Sequence, residues 1–295
     1  MTLAVPPAHV RRLAYLGTPD IAVTPLRALH EAGFDVPVVI TGADKRRGRG
    51  GDLSPTPVKA AAIDLGLPVA HDLAVLEDVD VDLGVVVAYG RIIPVDVLRQ
   101  VPLLNMHFSL LPRWRGAAPV ERALLAGDAE TGVCLMVIDE ELDTGAVYRQ
   151  AVTPIGPADT LTSLRARLVT LGSDLLVEAL RTGLGEPMPQ QGEVTYASKI
   201  AASELEIDWT RPADQIDRLV RLGGAWTTFR DRRLKILTVE ITDESGAAGG
   251  IDGVTVGTAA GSIKLVDVQP EGKAPMAATA WCNGAQPLAG EHLGS

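Results

Sequence analysis

The chain contains 295 residues, of which 46% are hydrophobic and 22% are charged, and its formal net charge is −10. This length and balance indicate two globular domains and exclude a disordered scaffold. The acidic net charge argues against a general nucleic-acid binder, which is usually basic. It remains compatible with an enzyme that holds one nucleic acid through a local basic patch.

The first half of the chain alternates short apolar segments with helical ones. Apolar runs predict strands at residues 12–16, 36–40, 68–70, 83–87, 103–107 and 133–138. Helical periodicity predicts helices at residues 22–30, 58–65, 95–100, 117–126 and 160–180. The run 83–87 is apolar throughout, which is typical of a strand buried on both faces of a parallel sheet. The alternation predicts an α/β domain with a Rossmann-like, doubly wound parallel sheet.

The pattern changes after residue 180. Turn-forming residues at 182–192 predict a linker. One helix is predicted at 213–222, followed by short strands at 234–239, 254–258 and 263–268 that glycine-rich turns separate. This pattern predicts a small, OB-like β-barrel. We place the large domain at 1–186, the linker at 187–205 and the barrel domain at 206–295, and we expect loose order beyond about residue 284.

Two cysteines, Cys134 and Cys282, lie far apart and offer neither a zinc spacing nor a disulfide framework. The short apolar stretch near the first residue contains two prolines and precedes an arginine pair, which is the reverse of the order in a secretory signal. No uninterrupted apolar run has membrane-spanning length. We therefore expect a cytoplasmic protein without a membrane partner, and we expect it to be a monomer.

Three polar residues follow or end predicted strands. Asn105 and His107 are two positions apart, so both lie on one face at the carboxyl end of a strand, where open α/β sheets bind ligands. Asp143 lies in a turn after a later strand. Together they suit acyl transfer to an amine: imidazole takes a proton, a carboxylate orients it and favours its charged form, and an amide stabilises an oxyanion. A structural hydrogen-bonded pair and a turn aspartate also explain these residues.

The segment from Asn105 to Gly116, together with Asp143, resembles the signature of the folate-dependent formyltransferases. That family includes enzymes acting on glycinamide ribonucleotide, on sugar nucleotides and on methionyl-tRNA. The resemblance implies that Asn105, His107 and Asp143 carry catalysis, with 10-formyltetrahydrofolate as co-substrate and no metal. We expect the folate to contact two segments: Ser109, Leu110, Leu111 and Pro112 in the first, and Ala88, Tyr89 and Gly90 in the second.

Within that family, five further segments resemble the methionyl-tRNA formyltransferases. They are residues 16–20, 86–94, 111–119, 207–209 and 269–276. The resemblance therefore runs from about residue 12 to about residue 283. It implies transfer of a formyl group to the α-amino group of methionine on initiator Met-tRNA, for translation initiation.

A basic loop interrupts the first half of the chain. Residues 44–59 carry five positive charges against Asp44 and Asp52, and glycines 48, 50 and 51 predict flexibility. The five cations are Lys45, Arg46, Arg47, Arg49 and Lys59. A solvated surface loop explains this composition. The resemblance implies instead that Lys45, Arg46, Arg47 and Arg49 bind the acceptor end of initiator tRNA, where a mobile cationic loop orders around phosphates.

Three alternatives remain open at this point. A formyltransferase acting on an amino-sugar nucleotide shares the three site residues. A Rossmann-type dinucleotide binder is disfavoured because Gly17-Thr18-Pro19-Asp20 lacks the GxGxxG pattern in the first turn. A non-catalytic, folate-binding paralogue is disfavoured because all three predicted catalytic residues are present.

Overall fold

A computed structural model of the chain describes residues 3–47 and 51–294, apart from the side chains of Lys45, Arg47 and Asp52. The chain divides into two compact units. Unit 1 comprises Met1–Pro119, Glu130–Pro154 and Arg165–Ala197, and unit 2 comprises Val120–Ala129, Ile155–Leu164 and Ser198–Ser295. The last boundary, between Ala197 and Ser198, falls within the predicted linker at 187–205.

Regular elements follow one another closely along the chain. Up to Ala197 they are β1 (Arg12–Gly17), α1 (Val23–Glu31), β2 (Asp35–Ile40), β3 (Lys45–Arg47), β4 (Asp52–Ser54), α2 (Pro57–Asp64), β5 (Val69–Ala70), β6 (Leu83–Val87), α3 (Val95–Gln100), β7 (Leu103–His107), β8 (Arg115–Gly116), α4 (Pro119–Ala126), β9 (Glu130–Val137), β10 (Val147–Pro154), α5 (Leu161–Thr182) and β11 (Tyr196–Ala197). Beyond Ala197 they are α6 (Ala213–Leu222), β12 (Trp226–Phe229), β13 (Arg232–Thr242), β14 (Ile251–Asp252), β15 (Thr255–Gly257), β16 (Ser262–Pro270), β17 (Met276–Ala277) and α7 (Ala278–Ala285). Single 3₁₀ turns occur at Asp20–Ala22, Leu73–Glu77 and Ala202–Leu205.

A seven-stranded sheet forms the centre of unit 1, in the order β10-β9-β7-β6-β1-β2-β5. The five strands from β7 to β5 are parallel to their neighbours. All five residues of β6 are buried, so both faces of the sheet are covered there. The predicted Rossmann-like α/β domain is confirmed.

Two strands at one edge make the sheet mixed rather than wholly parallel. β9 is antiparallel to β7, and β10 is antiparallel to β9. Strand β10 has no counterpart among the predicted strands, because its residues are mostly half-buried or exposed and form no apolar run. Because β9 reverses direction, the loop that follows it starts at the opposite end of β7 from His107.

Unit 2 contains a curled antiparallel sheet, in the order β12-β13-β16-β15-β14, with β17 paired to β16. It forms a half-barrel and confirms the predicted small β-barrel domain. Its core includes Trp209, whose indole Nε1–H donates to Thr227 Oγ1 at 3.0 Å. Phe229 and Trp281 pack edge to face with ring centroids 5.3 Å apart. The helix α6 turns Ile216 and Val220, four residues apart, into this core.

The expectation of loose order beyond residue 284 is wrong for the described residues. Leu293 is only 3% exposed and belongs to the core of unit 2. Glu291 accepts two hydrogen bonds from Arg230, both 2.7 Å long, and these bonds, with one from the Leu288 N–H, lower the pKa of its carboxyl to about 2. Contacts between residues 61 positions apart in sequence fix this segment, so its local composition did not reveal them.

Among residues 3–47 and 51–294, no helix combines the length and apolar character that crossing a bilayer requires.

The burial of Cys134 leads to a testable difference in its reactivity between the native and the unfolded protein. Cys134 is buried in β9, and burial raises the pKa of its thiol to about 11. At pH 8 roughly one such thiol in a thousand is ionised, and the thiolate is the reactive form. We expect iodoacetamide to modify Cys134 in urea but not in the native protein, as measured by peptide mass spectrometry. Equal labelling rates in both conditions would contradict the burial of Cys134.

Candidate active site

Strand β7 carries two of the three predicted catalytic residues. Asn105 and His107 lie on the same face because successive strand residues alternate between faces. His107 is only 5% exposed, whereas Asn105 is half-buried. Within the described parts of the chain, the Asn105 amide makes no hydrogen bond to another protein group. Its donor and acceptor are therefore available to a ligand.

The backbone fixes which nitrogen of His107 carries a proton. Nε2 lies 3.0 Å from the backbone oxygen of Trp114. Since a carbonyl oxygen can only accept, Nε2 carries the proton in the neutral ring. Nδ1 is then the basic nitrogen, and it lies 3.7 Å from Asp143 Oδ2. A proton taken up at Nδ1 converts this contact into an ion pair.

Asp143 reaches His107 from a loop that returns along the sheet. Val137, at the end of β9, lies opposite Leu104, three positions before His107. The loop at 138–146 therefore has to turn back to bring the carboxylate to the carboxyl end of β7. Asp143 adopts φ 52°, in the left-handed region, and Oδ2 accepts a hydrogen bond of 2.7 Å from the Gly116 N–H. Its side chain is 14% exposed.

The predicted folate-contacting loop follows His107 directly. Ser109 is fully buried, and its hydroxyl donates to the backbone oxygen of Arg113 at 2.6 Å. Leu111 and Pro112 are also buried and are joined by a cis peptide bond, while Leu110 is half-buried. Ser109 therefore shapes the loop, and Leu110 is its most accessible member for a ligand.

The second predicted folate segment follows β6, at the point where the sheet order changes direction. From β1 the chain continues to β2 and β5 on one side, and later to β6 and β7 on the other. Loops after β1 and β6 flank a ligand-binding crevice in folds of this type. Here Thr18 Oγ1 donates to the backbone oxygen of Tyr89 at 3.2 Å. A side chain at Gly90 would meet nothing within 4 Å, so open space lies beside this turn.

Two of the three residues in this turn adopt positive φ angles. Ala88 and Gly90 have φ values of 47° and 74°, and both are exposed, whereas Tyr89 between them is buried. Burial raises the pKa of the Tyr89 hydroxyl, so it stays protonated near neutral pH. The backbone of Ala88 and Gly90 is thus presented to the crevice while Tyr89 anchors the turn.

Matches to two family models identify the family of this chain. Residues 11–180, more than half of the chain, match the family model described as "Formyl transferase". The chain belongs to the formyl transferase family. Residues 199–286 match the model described as "Formyl transferase, C-terminal domain". The family resemblance found in the sequence is confirmed, and both units carry a family domain.

Similar proteins of this family match over nearly the whole chain. The methionyl-tRNA formyltransferase of Roseobacter denitrificans is 42% identical over 292 residues, which cover 92% of this chain and 95% of that protein. The one of Paracoccus denitrificans is 44% identical over 284 residues, covering 90% and 95%.

Solved structures with low sequence identity share the fold. An N-formyltransferase from Helicobacter canadensis, in complex with folinic acid and dTDP-3-aminofucose, matches with a TM-score of 0.68 at 21% identity, covering 88% of this chain and 99% of its own. HypX from Aquifex aeolicus, in complex with tetrahydrofolic acid, matches with a TM-score of 0.64 at 19% identity, covering 93% of this chain and 47% of its own.

The basic loop of this family member is partly a hairpin. Strand β3, which contains Lys45, Arg46 and Arg47, pairs with β4. Arg46 is exposed, whereas Arg49 and the side chains of Lys45 and Arg47 lie outside the described residues. Lys59 Nζ lies 2.8 Å from both carboxylate oxygens of Asp44, so these two charges offset each other. Only a loop was predicted here, because the glycines obscured the strands.

Sequence reasoning missed the groups that hold the His107–Asp143 pair in place. Two of them are backbone groups, the Trp114 oxygen and the Gly116 N–H, which no side-chain pattern reveals. A third is Thr195, whose Oγ1 accepts a hydrogen bond of 2.9 Å from the Trp114 N–H. Thr195 lies in the segment predicted to be a linker.

Proposed function

We propose that this chain transfers the formyl group of 10-formyltetrahydrofolate to the α-amino group of methionine on initiator Met-tRNA. The observation that carries the proposal is the 42% identity to a methionyl-tRNA formyltransferase across 95% of that protein. This match includes both family domains, so it extends beyond the catalytic chemistry that all formyltransferases share.

The geometry of the site supports a direct attack by the substrate amine. The folate is the activated acyl donor, and it supplies the formyl group. Asn105 donates a hydrogen bond to the formyl oxygen as negative charge develops on it. His107 takes the proton of the attacking amine at Nδ1, because Nε2 is engaged by Trp114. Asp143 stabilises the resulting imidazolium.

The His107 ring must also release the proton that it takes from the amine. When the bond between the formyl carbon and the folate nitrogen breaks, His107 returns its proton to that nitrogen. While the ring is protonated, its positive charge also stabilises the oxyanion that Asn105 binds. No protein nucleophile is needed, since the new carbon–nitrogen bond forms with the amine itself.

Two features of the crevice suit a bound folate. The turn from Ala88 to Gly90 has open space beside it, and its two exposed residues present backbone groups rather than bulky side chains. Leu110 offers an apolar contact on the other side, after the neighbouring parallel strand. We place the folate between these two segments, with the formyl group near Asn105.

We assign domain roles on the same basis. Residues 1–186 form the catalytic domain, 187–205 the linker and 206–295 the tRNA-binding domain. We also propose that the chain acts in the cytoplasm as a monomer. Light scattering tests the last point directly: a mass near the 31.0 kDa of one chain is expected, and twice that mass would contradict it.

The proposed reaction is tested by its stoichiometry. The chain is incubated with 10-formyltetrahydrofolate and methionyl initiator tRNA, and the aminoacyl ester is then hydrolysed for mass spectrometry. We expect one N-formylmethionine for each tetrahydrofolate released. Release of tetrahydrofolate without N-formylmethionine would contradict the assignment of the acceptor.

The basic loop gives a separate prediction about tRNA binding. Replacing Arg46, Arg47 and Arg49 together by alanine removes cations that we propose bind phosphates of the acceptor stem. We expect a higher KM for tRNA and a flatter salt dependence, by about 0.7–0.9 in the log–log slope for each phosphate that the variant no longer neutralises. The KM for the folate stays unchanged.

A matched control removes the same kind of charge elsewhere. Arg99 and Arg181 are exposed, and Arg99 lies at the end of α3, which leads into the opposite end of β7. Their replacement by alanine is expected to leave the KM for tRNA within twofold of wild type. Unchanged tRNA kinetics in the triple variant would remove the loop from the proposed binding surface.

A further inference from the structure

The side chain of Gln190 connects two loops that hold the catalytic pair. Its Nε2 donates to the backbone oxygens of Asp143 and Gly145, each at 2.8 Å. Its Oε1 accepts from Arg115 Nη2 at 2.6 Å and from Arg115 Nε at 3.1 Å. Two donors and two acceptor positions are the full capacity of an amide, so all of it is used.

The orientation of this amide has only one solution. A guanidinium offers only donors, so the group facing Arg115 must be the amide oxygen. Backbone carbonyls offer only acceptors, so the amide nitrogen must face Asp143 and Gly145. A flipped Gln190 would lose all four hydrogen bonds.

Both ends of this connection lie beside groups that contact the catalytic pair. Arg115 stands between Trp114, whose oxygen binds His107 Nε2, and Gly116, whose N–H binds Asp143 Oδ2. At the other end, Gln190 holds the turn that contains Asp143. That residue has φ 52°, in the left-handed region that few residues other than glycine adopt.

We propose that Gln190 is a positioning residue that sets the distance between His107 Nδ1 and Asp143 Oδ2 by joining the Asp143 turn to the loop at 113–116. It does not touch the reacting atoms. It acts on the carboxylate through the backbone of Asp143 and Gly145, and on His107 through Arg115. The proposal rests on the proposed function, in which this pair accepts and returns the proton.

The isosteric substitution Gln190→Glu separates the two halves of the connection. A carboxylate still accepts from Arg115, but it cannot donate to the oxygens of Asp143 and Gly145. The Asp143 turn is then released and faces a negative charge. Gln190→Ala removes both halves. Gln191→Ala is the matched control, because Gln191 is exposed and makes no hydrogen bond within the described residues.

We expect Gln190→Glu to lower kcat for formyl transfer by about 10–100-fold, the cost of displacing a catalytic group by about 1 Å. The KM for the folate stays within twofold, and Gln191→Ala behaves as wild type. The pH profile of kcat shifts as well, because the carboxylate moves relative to Nδ1. A kcat within twofold of wild type for both Gln190 variants would overturn the proposal.

A second measurement keeps the test independent of turnover. NMR titration of the His107 ring reports its apparent pKa in wild type, Gln190→Glu and Gln191→Ala. We expect a changed titration in Gln190→Glu alone, with a single cooperative unfolding transition that shows the variant to be folded. An unchanged His107 titration overturns the positioning role even if kcat falls. If wild type formylates no acceptor, the proposed function fails, while the ring titration still decides the role of Gln190.

Discussion

Replacing His107 by alanine is expected to lower kcat for formyl transfer by about 10²–10⁴-fold, while the chain still folds and binds folate. The substitution removes the basic nitrogen that lies 3.7 Å from Asp143 Oδ2 and that takes the amine proton in the proposed mechanism. The measurement is single-turnover transfer of a labelled formyl group at saturating folate and Met-tRNA. It isolates the chemical step from binding and product release.

Two further variants help to interpret the result for His107→Ala. His9→Ala changes an exposed histidine that lines the surface around Asp35, at the amino end of β2, and it is expected to leave kcat unchanged. Asp143→Asn keeps an oxygen that can accept from the Gly116 N–H but removes the charge that stabilises the imidazolium. We expect it to lower kcat by about 10²-fold or more. Near-normal turnover of His107→Ala would remove this residue from the mechanism.

Replacing Gly145 by alanine is expected to damage both folding and catalysis. A Cβ at this buried position would lie 2.0 Å from the backbone oxygen of Val137 and 2.8 Å from its carbonyl carbon. These neighbours are backbone atoms, so the turn itself must shift. Overpacking of this kind costs about 1–3 kcal/mol in the free energy of unfolding. Because Asp143 lies two residues away, we also expect about a 10–100-fold loss of kcat.

Gly284→Ala provides the matched glycine control. This residue lies in α7, and an added Cβ there would meet nothing within 4 Å. The change is expected to leave kcat unaltered and to stabilise the helix by up to about 1 kcal/mol. Urea unfolding gives both free energies. A Gly145→Ala protein as stable and active as wild type would show that the Asp143 turn tolerates displacement.

The sequence predicted which strand face carries Asn105 and His107, but it did not predict how Asp143 meets them. Period-2 alternation on an apolar strand was enough to place Asn105 and His107 on one face. Asp143 had no such signal, since β9 runs antiparallel and its loop must turn back before the carboxylate reaches His107. The positioning groups were invisible because they are backbone atoms or, like Gln190, belong to a segment whose prolines and glycines suggested a linker.

The fold likewise contains strands that the local sequence predicts and strands that it does not. Strand β6 was predictable because all five of its residues are apolar, and β1 and β7 were predictable because most of theirs are. Such runs are typical of a sheet covered on both faces. The half-exposed strand β10 and the hairpin of β3 and β4 gave no comparable pattern. Partners far away in sequence stabilise such segments, as Arg230 does for Glu291, and local periodicity carries no information about them.

The central claim is tested most directly by offering three acceptors in parallel to the chain and labelled 10-formyltetrahydrofolate. They are initiator Met-tRNA, elongator Met-tRNA and an amino-sugar nucleotide. We predict label on the methionine of initiator Met-tRNA, with little on elongator Met-tRNA and none on the sugar. Efficient labelling of the amino-sugar nucleotide without labelling of initiator Met-tRNA would contradict the account.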